Sequence, residues 1–262
     1  MITIDLSGKV VFITGGSKGV GRGISEKFLE AGATVIICAR NAPETLPSFN
    51  GRSAHFRALD VRDAEAIGAY FEWIEKEFGR LDVLINNAGG APMADAATAS
   101  PRFHEKIIQL NLTAPLHIAQ AANRLMQKQA AGSSIINIAS VSAARPSPGT
   151  AAYGAAKAGL VNLSRSLAVE WAPKVRVNAI IAGLIVTEQS HLHYGDDEGI
   201  AAVGRTIPLG RMAQPEDIAN VCLYLASPLS AYISGSAVTA DGGGEAPAFL
   251  GASNSDEKTG GH

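Results

Sequence analysis

Between a short apolar run, Lys9–Thr14 (KVVFIT), and a helix-like stretch, Val20–Ala31, the chain reads Thr14-Gly15-Gly16-Ser17-Lys18-Gly19-Val20-Gly21. A strand that feeds a helix through a glycine-rich loop starts a βα unit, and the same alternation continues along the chain. Thr34–Cys38, a weaker His55–Leu59, Val83–Asn86, Ser134–Ile138, Arg176–Ile181 and Ala237–Ala240 read as further strands. Gly32 stops the first helix. Asp63 is placed to cap a helix over Ala64–Phe78, and Pro215-Glu216-Asp217 opens another with acids that suit its dipole. The strands are apolar almost without interruption, which marks burial on both faces. The expected fold is α/β: a doubly wound, seven-stranded parallel sheet with helices on both faces.

Composition narrows the functional classes. Of 262 residues, 47% are apolar and 18% charged, enough to bury a full core. The formal charge is −2 and no Lys/Arg-rich run occurs, so nucleic acid is not an expected partner. Cys38 and Cys222 are too few for a disulfide framework and lack CxxC spacing, which suits a reducing compartment. The runs Val35–Ala39 and Ile180–Val186 are far short of a membrane helix, and Met1–Lys9 lacks the apolar stretch of a secretory signal. The expectation is a cytoplasmic protein with one domain over residues 1–250 and a flexible polar tail over 251–262.

In a strand–loop–helix unit, backbone N–H groups at the helix start face the loop, and glycines at 15, 19 and 21 let a pyrophosphate approach. A tight βα turn alone would use the same glycines. The spacing TGxxxGxG differs from the common GxGxxG and resembles the short-chain dehydrogenase/reductase family, in particular its 3-oxoacyl-carrier-protein reductase-like members. Further residues carry that resemblance in order along the chain: Asn86-Asn87-Ala88-Gly89, Asn111, Ser140, the pair Tyr153 and Lys157 in YxxxK, and Asn178 with Gly183. It spans roughly residues 6–244 and implies a Rossmann-like dinucleotide domain. It also implies an NAD(P)-dependent oxidoreductase that interconverts a secondary alcohol and a ketone.

Alcohol oxidation needs a hydride acceptor and a proton acceptor, and the cofactor carries the hydride chemistry. Tyrosine has an ordinary pKa near 10. A lysine four residues on shares its helix face, and its charge favours the tyrosinate. Tyr153 is therefore read as general acid/base and Lys157 as its modulator. Ser140, at the carboxyl end of a central strand, is placed to hold the substrate oxygen; alone it would be a turn cap. The resemblance implies that Lys157 also binds the nicotinamide ribose and that Asn111 anchors a water linking Lys157 to solvent. The cofactor set it implies is Gly15, Ser17, Lys18, Gly19, Val20, Gly21, Arg40, Asp60, Val61, Asn87, Ala88, Gly89, Tyr153, Lys157, Gly183, Ile185 and Thr187. No metal site is expected.

The second strand ends at Ala39-Arg40 without an acid for a ribose 2′-hydroxyl. Arg40, in fork geometry, and Lys18 favour a 2′-phosphate, so NADP(H) is the expected cofactor; an Arg40 stacked on adenine or left in solvent would still permit NAD(H). Two departures from the family stand out. Pro43 and Pro47 reduce the expected second helix to a turn, and Ala182 replaces the proline before Gly183, which leaves that loop less constrained. Residues 188–212 are the expected substrate lid, with His191, His193, Tyr194, Asp196, Asp197 and Glu198. Arg205, Arg211 and Arg145 are candidates for meeting an acidic carrier, or are ordinary surface ion-pair residues. The substrate is expected to be a small alcohol or ketone: a 3-oxoacyl thioester, a steroid or cyclic alcohol, or a polyol. Alanine-rich stretches at Phe103–Gln129 and Tyr153–Trp171, with the last strand, imply a homotetramer by resemblance. The rival readings are an epimerase or dehydratase on the same fold, and a non-catalytic dinucleotide sensor.

Overall fold

The computed structural model describes residues 4–252. The strands are β1 (Val10–Thr14), β2 (Thr34–Cys38), β3 (Ser48–Phe49), β4 (Arg52–Ser53), β5 (His55–Phe56), β6 (Val83–Asn86), β7 (Ser133–Ser140), β8 (Val175–Ala182) and β9 (Ala237–Ala240). Seven of them form one sheet in the order β5-β2-β1-β6-β7-β8-β9, and every pairing in it is parallel. The helices are α1 (Gly19–Glu30), α2 (Ala64–Phe78), α3 (Pro101–Ile108), α4 (Ala114–Met126), α5 (Ala151–Glu170), α6 (His191–Tyr194), α7 (Asp197–Arg205), α8 (Pro215–Ala226) and α9 (Ala248–Ala252).

Successive residues of the central strands serve opposite cores, which is why those strands are apolar throughout. Val10, Phe12, Ile36 and Leu84 join residues of α2, α4 and α5 on one face. Val11, Ile13, Val35, Ile37, Val83 and Ile85 join α1 and α8 on the other. From β1 the chain winds out through β2 to β5, then returns to β6 on the far side of β1. That reversal opens a crevice at the carboxyl ends of β1 and β6, where ligands of open α/β sheets bind.

The helix ends follow the residues that mark them. Asp63 accepts the N–H groups of Glu65 and Ala66, and Gly79 ends α2 in the left-handed region. At α8 the Gln214 N–H is held by the Asp217 carboxylate at 2.7 Å.

Several boundaries differ from expectation. β5 covers only His55–Phe56, because this edge strand has β2 as its one partner; beyond it the N–H groups of Arg57 and Leu59 still bond to Ile37 and Ala39. β7 and β8 are longer than expected and pair residue for residue from Ser133↔Val175 to Ser140↔Ala182. The helical stretch 103–129 is divided by a π-helical segment at Gln109–Thr113. The prolines do remove the second helix. In its place β3 and β4 form a hairpin on Asn50 (φ 46°) and Gly51 (φ 79°), the dipeptide such a turn selects. The expected flexible tail lies, from residue 253 on, outside the described residues.

The edge of the sheet core is tied by one buried carboxylate. Asp82, 3% exposed, accepts the Val10 N–H at 2.9 Å and bonds to Lys9 and Arg80. Burial works to raise its pKa, but the hydrogen bonds from Arg80, Val10 and Lys9 outweigh it and hold the carboxyl below its ordinary value. A depressed folded-state pKa gives stability that is present above the unfolded value and lost as pH falls through the folded one. Asp82→Asn is expected to cost about 2 kcal/mol at pH 7. In urea unfolding, the gap between the two proteins should close as pH falls below the ordinary carboxylate range.

Candidate active site

A cleft of about 520 Å³ opens at the carboxyl ends of β1, β2, β6, β7 and β8. Its floor begins at the glycine loop. Gly15 and Gly19 have positive φ, 64° and 50°. A Cβ on Gly21 would collide with the Gly15 carbonyl and with Asn87 Nδ2, so the helix start packs directly on the loop backbone. Thr14 and Asn87 fasten that loop to β6. Thr14 Oγ1 accepts the N–H groups of Asn87 and Ala88, both at 3.0 Å, and Asn87 Nδ2 donates to the Thr14 and Gly15 carbonyls at 2.9 and 3.2 Å.

The opposite wall comes from β7 and α5. A short turn at Val141–Ala143 follows Ser140. A Cβ on Gly154 would lie 2.9 Å from the Ser142 carbonyl, so the missing side chain lets that turn seat against the first turn of α5. Tyr153 is thereby brought across the cleft from Ser140. Ser140 Oγ accepts the Ser142 N–H at 3.2 Å, which leaves its own proton to be shared between the Tyr153 phenol and a ligand oxygen. One turn further along α5, Lys157 is 3% exposed and donates to the Ile138 carbonyl at 2.7 Å.

The electrostatics differ from the simple pairing expected of YxxxK. Burial raises the Tyr153 phenol, the Ser140 hydroxyl pulls it back down, and Tyr194 pushes it up again, so the net shift is upward. Lys157 Nζ stands 5.6 Å from the Tyr153 ring centroid and donates its hydrogen bond to the Ile138 carbonyl. Burial lowers the lysine itself to about 8.

Every residue expected to hold cofactor lines this cleft except Ser17. Ser17 is buried and borders an adjoining cleft with Lys18, Arg22, Arg40 and residues 41–45. Asn111 is fully buried behind the wall. It accepts the Gly90 N–H at 2.9 Å and donates to the carbonyls of Gly90 and Ile107 at 2.9 and 3.0 Å. A Cβ on Gly89 would lie 2.7 Å from Asn111 Oδ1 and 3.2 Å from Lys157 Nζ, so both side chains crowd that glycine from behind. Ala182 does not loosen its segment: it continues β8, and the Gly183 N–H bonds to the Ala240 carbonyl at 2.9 Å.

Sequence reasoning missed Arg62 and placed Glu188 and Gln189 only in the substrate lid; all three line the cleft. Arg62 forks onto Asp60 at 2.6 and 2.9 Å; the spacing Asp60-Val61-Arg62 was the available signal. In the lid Arg211 is committed to Asp217, and beyond Ser140 Arg145 is committed to Glu245, both at 2.7 Å. No group of three metal-ligating side chains occurs among the described residues.

This fold and cleft define a dinucleotide-binding α/β oxidoreductase. The family described as Enoyl-(Acyl carrier protein) reductase matches residues 15–245. A 3-oxoacyl-(acyl-carrier-protein) reductase of Vibrio harveyi is 36% identical over 243 residues, covering 92% of this chain and 98% of its own. D-threitol dehydrogenase of Mycolicibacterium smegmatis is 36% identical over 244 residues, covering 91% and 93%. The ligand-free structure of Thermoplasma acidophilum aldohexose dehydrogenase superposes with a TM-score of 0.86 at 30% identity, covering 92% and 96%. The chain belongs to the short-chain dehydrogenase/reductase family, whose members bind NAD(P)(H).

A buried amine lowered to about 8 weakens the fold below that pH. Between about 8 and the ordinary lysine value the unfolded chain binds more protons than the folded one, so stability rises with pH there. Lys157→Met is expected to be more stable than the parent by ~1–3 kcal/mol at pH 7, since the burial penalty is partly offset by the bond to Ile138. Thermal melts from pH 7 to 10 should show that advantage shrinking.

Proposed function

We propose that the protein interconverts a secondary alcohol and a ketone with a nicotinamide dinucleotide, using Tyr153 as general acid/base. The observation that supports this most is the convergence of Ser140, Tyr153 and Lys157 on the cleft that holds the glycine loop. That loop suits the group: Gly21 has no room for a Cβ, and the start of α1 faces the cleft. Gly15, Lys18, Gly19, Val20, Gly21, Asp60, Val61, Asn87, Ala88, Gly89, Gly183, Ile185 and Thr187 would hold the dinucleotide, which when bound supplies the hydride exchange.

The chain's own residues manage the substrate oxygen and its proton. Ser140 donates its proton to that oxygen and fixes it beside Tyr153. Tyr153 takes the proton as its phenolate during oxidation and returns it as its phenol during reduction. Lys157, 5.6 Å from the Tyr153 ring, favours the phenolate whenever it carries its charge. Asn111 holds the Gly90 loop behind Lys157 and keeps both in register.

NADP(H) is the preferred cofactor in this reading. Arg40 is exposed at the end of β2 and shares the adjoining cleft with Lys18, Ser17 and Arg22. Asp60, the nearby acid, is engaged by Arg62. Substrates of the reductase and polyol-dehydrogenase relatives, a 3-oxoacyl thioester and a polyol, remain in the set with steroid and cyclic alcohols. Assembly as a homotetramer accords with the exposed Val169 at the end of α5 and with the free edge of β9. No helix among the described residues is long and apolar enough to cross a membrane, and a cytoplasmic location belongs to the same proposal.

Tyr153→Phe is expected to lower turnover of an accepted alcohol or ketone by about 10²–10⁴-fold while dinucleotide binding persists. Steady-state rates and fluorescence titration of Trp73 and Trp171 check the two halves; surviving turnover would overturn the role of Tyr153. Arg40→Ala is expected to weaken NADPH binding about tenfold and leave NADH binding nearly unchanged.

A further inference from the structure

The backbone N–H of Gly19, the first residue of α1, donates to Glu188 Oε1 at 3.2 Å. A Cβ placed on Gly19 would lie 3.6 Å from the other carboxylate oxygen. α1 has no side-chain cap at Lys18 and no acid in its own first turn. The anion at this helix start therefore comes from a residue 169 positions away in sequence. Glu188 opens the lid: the strand-like base of that segment is fixed at Ile185↔Ala213 and by the bond from Val186 N–H to the Ala213 carbonyl. The N–H of Thr187 donates to Ser190 Oγ at 2.8 Å. Beyond that fixed base, Glu188 and Gln189 lie exposed and border both the main cleft and the adjoining one.

A helix start attracts whatever anion can reach it. A carboxylate seated there uses a donor that the proposed dinucleotide needs for its diphosphate, and its charge opposes the approach of that diphosphate.

We propose that Glu188 is an internal competitor for the diphosphate end of α1, seated there before a dinucleotide enters and displaced when one does. Its displacement detaches the first residues of the lid from the glycine loop, so the substrate mouth reorganises after nucleotide binding rather than before it. The seated carboxylate lowers apparent nucleotide affinity by the fraction of molecules in which it is seated, and so favours release of the spent dinucleotide. This inference rests on the dinucleotide reading above.

The test is equilibrium titration of the wild-type protein, Glu188→Gln and Glu188→Ala with NADPH, NADH and ADP, followed by tryptophan fluorescence, with thermal melts to confirm folding. ADP carries the diphosphate without the nicotinamide. Both variants are expected to bind all three ligands about fivefold more tightly, by a common factor, because the competition is at the shared diphosphate. Wild-type binding accompanied by equal or weaker binding in both variants would overturn the competitor role and leave the dinucleotide reading standing. Tighter binding of the nicotinamide forms alone, with ADP unchanged, would also overturn it, because the effect would then lie away from the diphosphate. Absence of binding in folded wild-type and variant proteins alike would overturn the dinucleotide reading and this inference with it.

Discussion

The reciprocal clasp between Thr14 and Asn87 is the contact on which the site depends. β1 and β6 are neighbours in the sheet but lie on opposite arms of the winding, so their ends separate into a crevice. Apolar packing cannot close that crevice without filling the ligand's place. Four short bonds between Thr14, Gly15, Asn87 and Ala88 hold its two rims instead. They consume the polar groups nearest the strand ends without using the N–H groups at the start of α1. Asn86 extends the polar clamp into the core, where its Nδ2 donates to the Pro115 carbonyl at 3.2 Å and to Asn137 Oδ1 at 2.9 Å. Asn137 in turn donates to Ser164 on α5 at 2.8 Å. The rim that faces ligand and the helix that carries Tyr153 are thus linked through buried amides.

α5 has two demands that pull against each other. It must cover β7 and β8 as a core helix, yet it must also present a phenol and an amine to an open cleft. Ala156 and Leu160 serve the first demand and are fully or nearly fully buried. Lys157 serves the second and is also buried, with the Ile138 carbonyl as its one hydrogen-bond partner among the described residues. A cation in that position weakens the fold at neutral pH, and its retention beside Tyr153 is the kind of local cost that functional sites carry.

Strand interiors were legible because the middle residues of β1, β2 and β6 must be apolar to serve two cores at once. Strand ends were less so: β5 stops early because it lies at the sheet edge, and β7 and β8 run on because each supplies the other's partner. The loss of the second helix followed from Pro43 and Pro47, whereas the hairpin that replaces it rested on Asn50-Gly51, a local signal set within a polar stretch. In the site, most of the motif residues border one cleft because the family spacing encodes which strand end each one occupies. What stayed hidden depends on contacts between distant segments. Asn111 is fixed by a π-helical segment that no periodicity separates from an α-helix. Lys157 turns to a carbonyl on β7 rather than to Tyr153, and Glu188 reaches α1 across 169 positions.

The lid shows how charge near the substrate mouth is already balanced. Arg145 and Arg211 both looked available to an acidic carrier, yet each has a carboxylate within 2.7 Å. Arg211 is tied down at the start of α8, away from the mouth, in a bidentate pair with Asp217. Arg145 is nearer: its charge and that of Glu245 act on the Tyr194 phenol in opposite senses, and Tyr194 in turn acts on Tyr153. An anionic substrate group gains at Arg145 only what is left after Glu245 has been displaced. A hydroxyl can instead bond to either partner without separating the pair, so at the pair itself a neutral polar group meets the smaller desolvation cost.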